Sequence, residues 1–418
     1  MRVLWISNII FPELCSKIGI KAPVVGGWMQ AGARALLEKD KTLKLGVVSF
    51  YKGNDLQNFR GTDIQYYLVP EHVSASCLYD KDIEGYLKQV YGDFRPDLIH
   101  IHGSEYGHSF AAVRVCGNRK TVVSVQGLVS FYKDYYFAGI KECDIRKNTT
   151  VRDIVRRDSL VQQQRRMAKR GRLEVELFKN VKHVIGRTSW DKSCVWSLNP
   201  NARYHFCNET LRESFYNNKW EYDKCCKHTI FLSQGQYPIK GLHQMVKALP
   251  LILRDFPDTE VYVAGNDFYT NVPFYRKNGY ANYVQKIMKM YGVVDKFHFL
   301  GQLSERMMVE KYLQANVFVC PSVIENSPNS VGEAQLLGTP VVASYVGGTM
   351  DMVKDGETGF LYRFEETSLL AERVCELFAS NELCCCLSDK ERIVAANRHD
   401  KNVNAETLIN IYKEIISC

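Results

Sequence analysis

No stretch of these 418 residues approaches the roughly 18–20 consecutive apolar residues that cross a bilayer. Nor is a secretory leader expected at the start of the chain. Residues 1–11 are apolar but short, and no small-residue cleavage site follows them. They read as a first β-strand, and the expected location is cytoplasmic. Internal repeats and low-complexity tracts are missing, which argues against solenoids and disorder. The fourteen cysteines show no metal spacing: Cys225-Cys226 and Cys384-Cys385-Cys386 are adjacent rather than two residues apart. Reduced thiols are the expected state. No Asp-x-Asp stands near the end of a strand-like run, so neither a metal nor any other cofactor is expected. Nucleic-acid motifs are also lacking, and the net charge of +8 is mild, so nucleic acid is not an expected partner.

What is present is material for two full cores: 46% apolar residues and 24% charged residues over a two-domain length. Short β-branched runs alternate with helical periodicity throughout, which predicts α/β architecture with two doubly wound, Rossmann-like domains facing across a cleft. The expected boundaries are 1–218 for the first domain and 219–395 for the second. A last helix, 396–418, is expected to return to the first domain.

One stretch organises the rest, residues 321–348, with Glu325 and Glu333 seven residues apart. An apolar run, 317–320, predicts a buried parallel strand that delivers Glu325 to the sheet's carboxyl edge. Residues 326–329 read as a turn, and 331–337 as a short helix stopped by Gly338 and followed by Pro340. The helix start aims backbone N–H groups and a positive dipole end at the same edge, which suits a diphosphate. Glu333 is placed to accept hydrogen bonds from a ribose diol. A nucleotide-sugar wants all three features together; the plainer alternative is a buried strand and helix with two solvated glutamates.

The E-x7-E pattern, followed by Gly338-Thr339-Pro340-Val341-Val342-Ala343-Ser344 and Gly347-Gly348, resembles the retaining, family-four glycosyltransferases of GT-B fold. The resemblance runs through most of the chain. It implies a donor bound mainly to the second domain, UDP- or GDP-linked, and a glycan or polyprenyl-diphosphate-linked acceptor on the first. It implies that Glu325 and the backbone of residues 326–329 grip sugar hydroxyls. Lys240, the amides at Asn329 and Ser330, and the Gly26-Gly27 loop before a helix would receive the departing diphosphate. Gly265 would border the nucleobase, and His102, in the string Leu98-Ile99-His100-Ile101-His102-Gly103, would contact ligand. Two positions depart from the family pattern. Gln126 stands where many relatives carry a histidine; an amide can orient a sugar but cannot carry a proton. Gln236 stands near the place of an arginine, leaving Lys240 without a bidentate fork beside it. Arg187 and Arg212 are the candidate substitutes.

Between Lys141 and Lys192 fifteen Lys/Arg face seven Asp/Glu, which accounts for the whole net charge. A solvated helical face and attraction to anionic lipid or a lipid-diphosphate acceptor at the inner membrane face both remain open for this segment. The expected function is a metal-independent hexosyltransferase that retains anomeric configuration, in cell-surface polysaccharide assembly (capsule, lipopolysaccharide or exopolysaccharide). The alternatives are a catalytically inactive subunit of the same shape that binds glycan or lipid, or another nucleotide-sugar enzyme on the same fold.

Overall fold

A computed structural model describes residues 1–23, 26–72, 79–268 and 272–417. Its contacts divide the chain into two compact units. One comprises Met1–Lys133, Arg166–Leu211 and His399–Cys418; the other comprises Asp134–Arg165 and Arg212–Arg398. The sequence expectation assigned residues 134–165 to the first half, whereas they pack with the second. Side-chain partners explain the difference. The buried carboxylate of Asp153 accepts from Gly279 N at 2.8 Å, and His243 Nε2 lies 2.8 Å from the Ala138 carbonyl. Local periodicity carries no trace of such distant pairs.

The first unit holds an eight-stranded sheet. Its strands are β1 (Arg2–Ile6), β2 (Lys44–Tyr51), β3 (Gln57–Arg60), β4 (Ile64–Pro70), β5 (Leu98–His102), β6 (Lys120–Ser124), β7 (His183–Gly186) and β8 (Arg203–Phe206). Their order is β3-β4-β2-β1-β5-β6-β7-β8, parallel except for β3, which runs antiparallel to β4. Strand β3 was not legible as apolar alternation because three of its four residues are polar and they alternate half-buried with exposed. The expected loop over residues 11–25 contains a helix, Pro12–Lys17, started by proline at its first position. The final helix, Lys401–Ser417, buries Ile409, Ile411, Tyr412 and Ile415 in this unit's core. There Trp5 Nε1 donates to Tyr412 Oη at 3.0 Å, and that oxygen lies 2.5 Å from His100 Nδ1.

The second unit has six strands: β9 (Thr229–Leu232), β10 (Glu260–Ala264), β11 (Phe297–Gly301), β12 (Val317–Cys320), β13 (Val341–Ser344) and β14 (Phe360–Tyr362). All pair in parallel in the order β11-β10-β9-β12-β13-β14. Strands β9 and β12 are buried at every position, as the continuous β-branched and aromatic runs require of a sheet covered on both faces. In each sheet the chain reverses its direction of growth once, between β1 and β5 in the first unit and between β9 and β12 in the second. Open α/β sheets bind ligands at the carboxyl ends beside such reversals. Among the described residues no helix is long and apolar enough to cross a membrane.

Candidate functional site

In the second unit the loops after β9 and β12 meet at the reversal. Gly241 takes φ +69°, and a Cβ there would run into the carbonyl oxygen of Pro321. The backbone N–H of Val323 donates to Ile239 O at 2.9 Å. This close approach brings the Lys240 ammonium 2.6 Å from Glu325 Oε1, which also accepts from Ser322 Oγ at 2.7 Å. Glu325 is buried, while the Lys240 side chain stays 23% exposed. The carboxylate sits five residues beyond the end of β12, in the loop rather than at the strand's own edge. Its backbone carbonyl accepts from Gly348 N at 3.0 Å, so the Gly347-Gly348 loop after β13 fixes its height.

The helix after this loop spans Asn329–Leu337 and starts two residues earlier than the apolar pattern indicated. Pro328 precedes it in extended backbone, with no side-chain cap, so the first amides at Asn329 and Ser330 point from an uncapped end. Glu333 is the helix's fifth residue and is buried. Arg212 reaches it with two donors, Nε at 2.9 Å and Nη2 at 2.5 Å, both to Oε1. The guanidinium lies over the Phe215 ring at 4.7 Å. Gln236 and Gly265 also come together. Gly265 takes φ +106°, and a Cβ on it would stand 2.7 Å from Gln236 Oε1. That amide oxygen is buried and has no hydrogen-bond partner among the described residues.

The remaining sequence candidates lie in the first unit, around the carboxyl ends of β1, β5, β6 and β7. Gly26, at φ +81°, is the cap of the helix Gly27–Lys39. His102, at the end of β5, packs on Trp5 at 4.4 Å between ring centroids and on Trp28 at 6.1 Å. A cavity of about 60 Å³ is lined there by Trp5, Trp28, His102, Arg187 and Glu209, among others. Three buried polar atoms among its lining residues have no partner among the described residues: His102 Nε2, Arg187 Nε and Glu209 Oε2. Gln126 donates to Glu209 Oε1 at 2.7 Å and accepts from Arg187 Nη2 at 3.4 Å. Arg187 is thereby engaged by Glu209, Gln126 and, at 2.8 Å, the Val125 carbonyl.

Comparison with known proteins places this geometry. Residues 217–399 match the model of the family "Glycosyl transferases group 1". Residues 217–399, the group 1 half, are thus similar to group 1 glycosyltransferases. The spore coat protein SA of Bacillus subtilis (strain 168) is 27% identical over 186 residues, covering 42% of this chain and 46% of that protein. The phosphatidyl-myo-inositol mannosyltransferase of Mycobacterium leprae (strain TN) is 26% identical over 200 residues, covering 46% and 48%. The chain thus spans about half the length of the curated relatives it matches. Among solved structures, a sucrose-phosphate synthase from Thermosynechococcus elongatus superposes with a TM-score of 0.73 at 16% identity, covering 100% of this chain and 99% of that one. Anabaena HepE in complex with UDP and glucose superposes with a TM-score of 0.68 at 14% identity, covering 99% of each. Both halves therefore have the Rossmann-like architecture of the GT-B fold.

Within the group 1 half, electrostatics follow the pairing. Burial pulls the Lys240 ammonium toward neutrality, but the Glu325 carboxylate outweighs it, and the lysine is held above its ordinary range. Glu333 is pushed up by burial, against the opposing pull of Arg212. In the first unit, burial lowers His100 to about 3 and also holds His102 well below its usual range, helped by His100 and Arg187. Both imidazoles are neutral near pH 7. Sequence reasoning named Arg212 as a substitute for a phosphate-binding arginine; in the second unit its Nε and Nη2 are committed to Glu333. Ser322, Tyr312 and Glu209 were missed. Tyr312 is fully buried and donates to Ser330 O at 3.1 Å, tying the helix start to the preceding helix. Among the described residues no group of three or more His, Cys, Asp or Glu side chains is arranged to hold a metal ion.

Proposed function

We propose that this chain is a glycosyltransferase that moves a hexose from a nucleoside-diphosphate sugar to a glycan or polyprenyl-diphosphate-linked acceptor, with retention of configuration and without a metal. One observation carries the reading: a Lys240–Glu325 ion pair beside an uncapped helix end, at the reversal point of the group 1 half. An ammonium has three donors, and Glu325 uses one. The others, with the amides at Asn329 and Ser330, receive the charge that develops on the leaving diphosphate. Glu325 and the backbone of residues 326–329 hold sugar hydroxyls, Glu333 accepts from the ribose, and Gly265 borders the base. HepE, similar in fold, was solved with UDP and glucose, which favours a UDP-linked donor here.

The acceptor belongs to the first unit. Its cavity pairs two indole faces with unpartnered donor and acceptor atoms, a lining that suits a neutral polyol ring. His102 contributes a neutral ring nitrogen there, and Gln126 steadies Glu209. The departing phosphate takes the acceptor's proton, because Gln126 cannot. The reading includes a role in surface-polysaccharide assembly at the cytoplasmic face of the membrane, with the basic segment turned toward lipid. Gln126 and Gln236, which replace an ionisable histidine and arginine of the resembled pattern, are what favour the second reading, an inactive binding subunit.

A donor panel decides between them. The purified chain is expected to hydrolyse one UDP- or GDP-sugar slowly without acceptor, unaffected by EDTA. Inertness toward every donor, alone and with polyprenyl-diphosphate-linked sugars, favours the inactive subunit.

A further inference from the structure

The short helix Val151–Val155 is inside out. Its apolar residues Val151, Ile154 and Val155 are 77%, 66% and 76% exposed. They stand at positions i, i+3 and i+4, so one face of the turn is a continuous aliphatic surface. Its acidic residue faces inward: Asp153 is 1% exposed, closes a capping box with Thr150, accepts from Gly279 N at 2.8 Å and pairs with Arg152 at 2.9 Å. The turn is therefore pinned with its greasy side outward, not frayed into that state. The turn Phe274–Arg276 packs beside it and adds Tyr275, 62% exposed, and exposed Arg276. Arg156 and Arg157, also exposed, follow directly in the chain.

We propose that this surface is a bilayer-inserting wedge, with the three aliphatic side chains entering the acyl boundary of an anionic leaflet, Tyr275 at headgroup depth and the arginines on lipid phosphates. Single exposed aliphatics are ordinary on protein surfaces; three on one pinned turn are not. The patch is far smaller than the roughly 800 Å² per partner of a stable dimer. Its arginine border would repel a second copy, while it complements anionic headgroups. Aliphatic tips, an interfacial tyrosine and flanking cations are the composition of interfacial anchors. The inference sharpens the membrane-facing part of the proposed function and is independent of the transfer chemistry.

The test uses the full chain and phosphatidylcholine vesicles with or without phosphatidylglycerol, in the absence of any sugar nucleotide. Co-sedimentation is expected only with phosphatidylglycerol present and should weaken with salt. Val151→Ser, Ile154→Ser and Val155→Ser combined should lower the partition coefficient at least about tenfold, with unchanged thermal unfolding. In a separate Ile154→Trp variant, vesicles should shift the added emission to the blue, and brominated lipid should quench it. Wild-type binding by the triple variant, an unquenched Trp at 154, or loss of self-association instead of vesicle binding would each overturn the wedge. Donor hydrolysis is read separately on the same preparations, so failure here leaves the transferase assignment standing, and the converse holds too.

Discussion

The two reversal points of this molecule hold their charges differently. In the second unit two charge pairs stand there, Lys240 on Glu325 and Arg212 on Glu333. In the first unit one charge pair, Arg187 on Glu209, is set among aromatic rings and neutral imidazoles, and three buried polar atoms have no partner among the described residues. Matched charges around an uncapped helix end are already arranged for an anion, and little must reorganise when one arrives. Unmatched donors and acceptors between indole faces are better suited to a neutral ligand that supplies the missing hydrogen bonds. On the proposed reading, the same fold, used twice, separates the recognition of phosphate from that of hydroxyl.

The contrast can be broken most severely at Glu333. Replacing it with Ala strands the Arg212 charge in a buried site, and a loss of about 3–5 kcal/mol in urea unfolding is expected. The isosteric Glu333→Gln should keep the fold while raising the donor KM, which separates ribose binding from stability. Because burial holds Glu333 above the ordinary carboxylate range, donor KM should begin to rise, as pH falls, before an ordinary glutamate would protonate. Next in size is Lys240→Ala. Loss of one preorganised donor to a leaving group should lower kcat about 10²–10³-fold with little change in KM. Trp28→Ala should do the reverse: donor hydrolysis within about twofold of wild type, with binding of polyol acceptors lost. A twentyfold drop in donor hydrolysis there, on an order-of-magnitude scale, would erase the division between the two units.

The smallest effect concerns Glu105, beyond β5, whose carboxyl is raised to about 7 by burial and by the neighbouring Glu174. Its folded-state value exceeds its ordinary 4.5, so its protonated form favours the fold. That contribution is complete below pH about 4.5 and disappears as pH rises through about 7. The melting temperature of wild type relative to Glu105→Gln should therefore fall across this interval, and a flat difference would refute the shift.

Much of this was legible in the chain because local chemistry writes it there. The buried runs at 317–320 and 229–232 name their strands, Gly338 stops a helix at φ +85°, and Gly26 opens one. Lys240 and Glu325 were both named as site residues, but their direct pairing across 85 positions was not foreseen. Arg212 meets Glu333 across 121 positions, and no periodicity predicts that. The same holds for Gln126 on Glu209 and for Asp153 on Gly279. Partners chosen by tertiary packing leave a residue's type in the sequence but not its address.

The placement of Tyr412 has a consequence for how the protein is made. Its hydroxyl completes a network with Trp5 and His100 in the centre of the first unit. A ribosome delivers Trp5 before the whole group 1 half and Tyr412 only after it. The half translated first must therefore wait, with an apolar groove uncovered, while the half translated later is free to close around its own sheet. Chaperone demand during synthesis should fall on the first unit, and emergence of residues 399–418 should be the event that ends it.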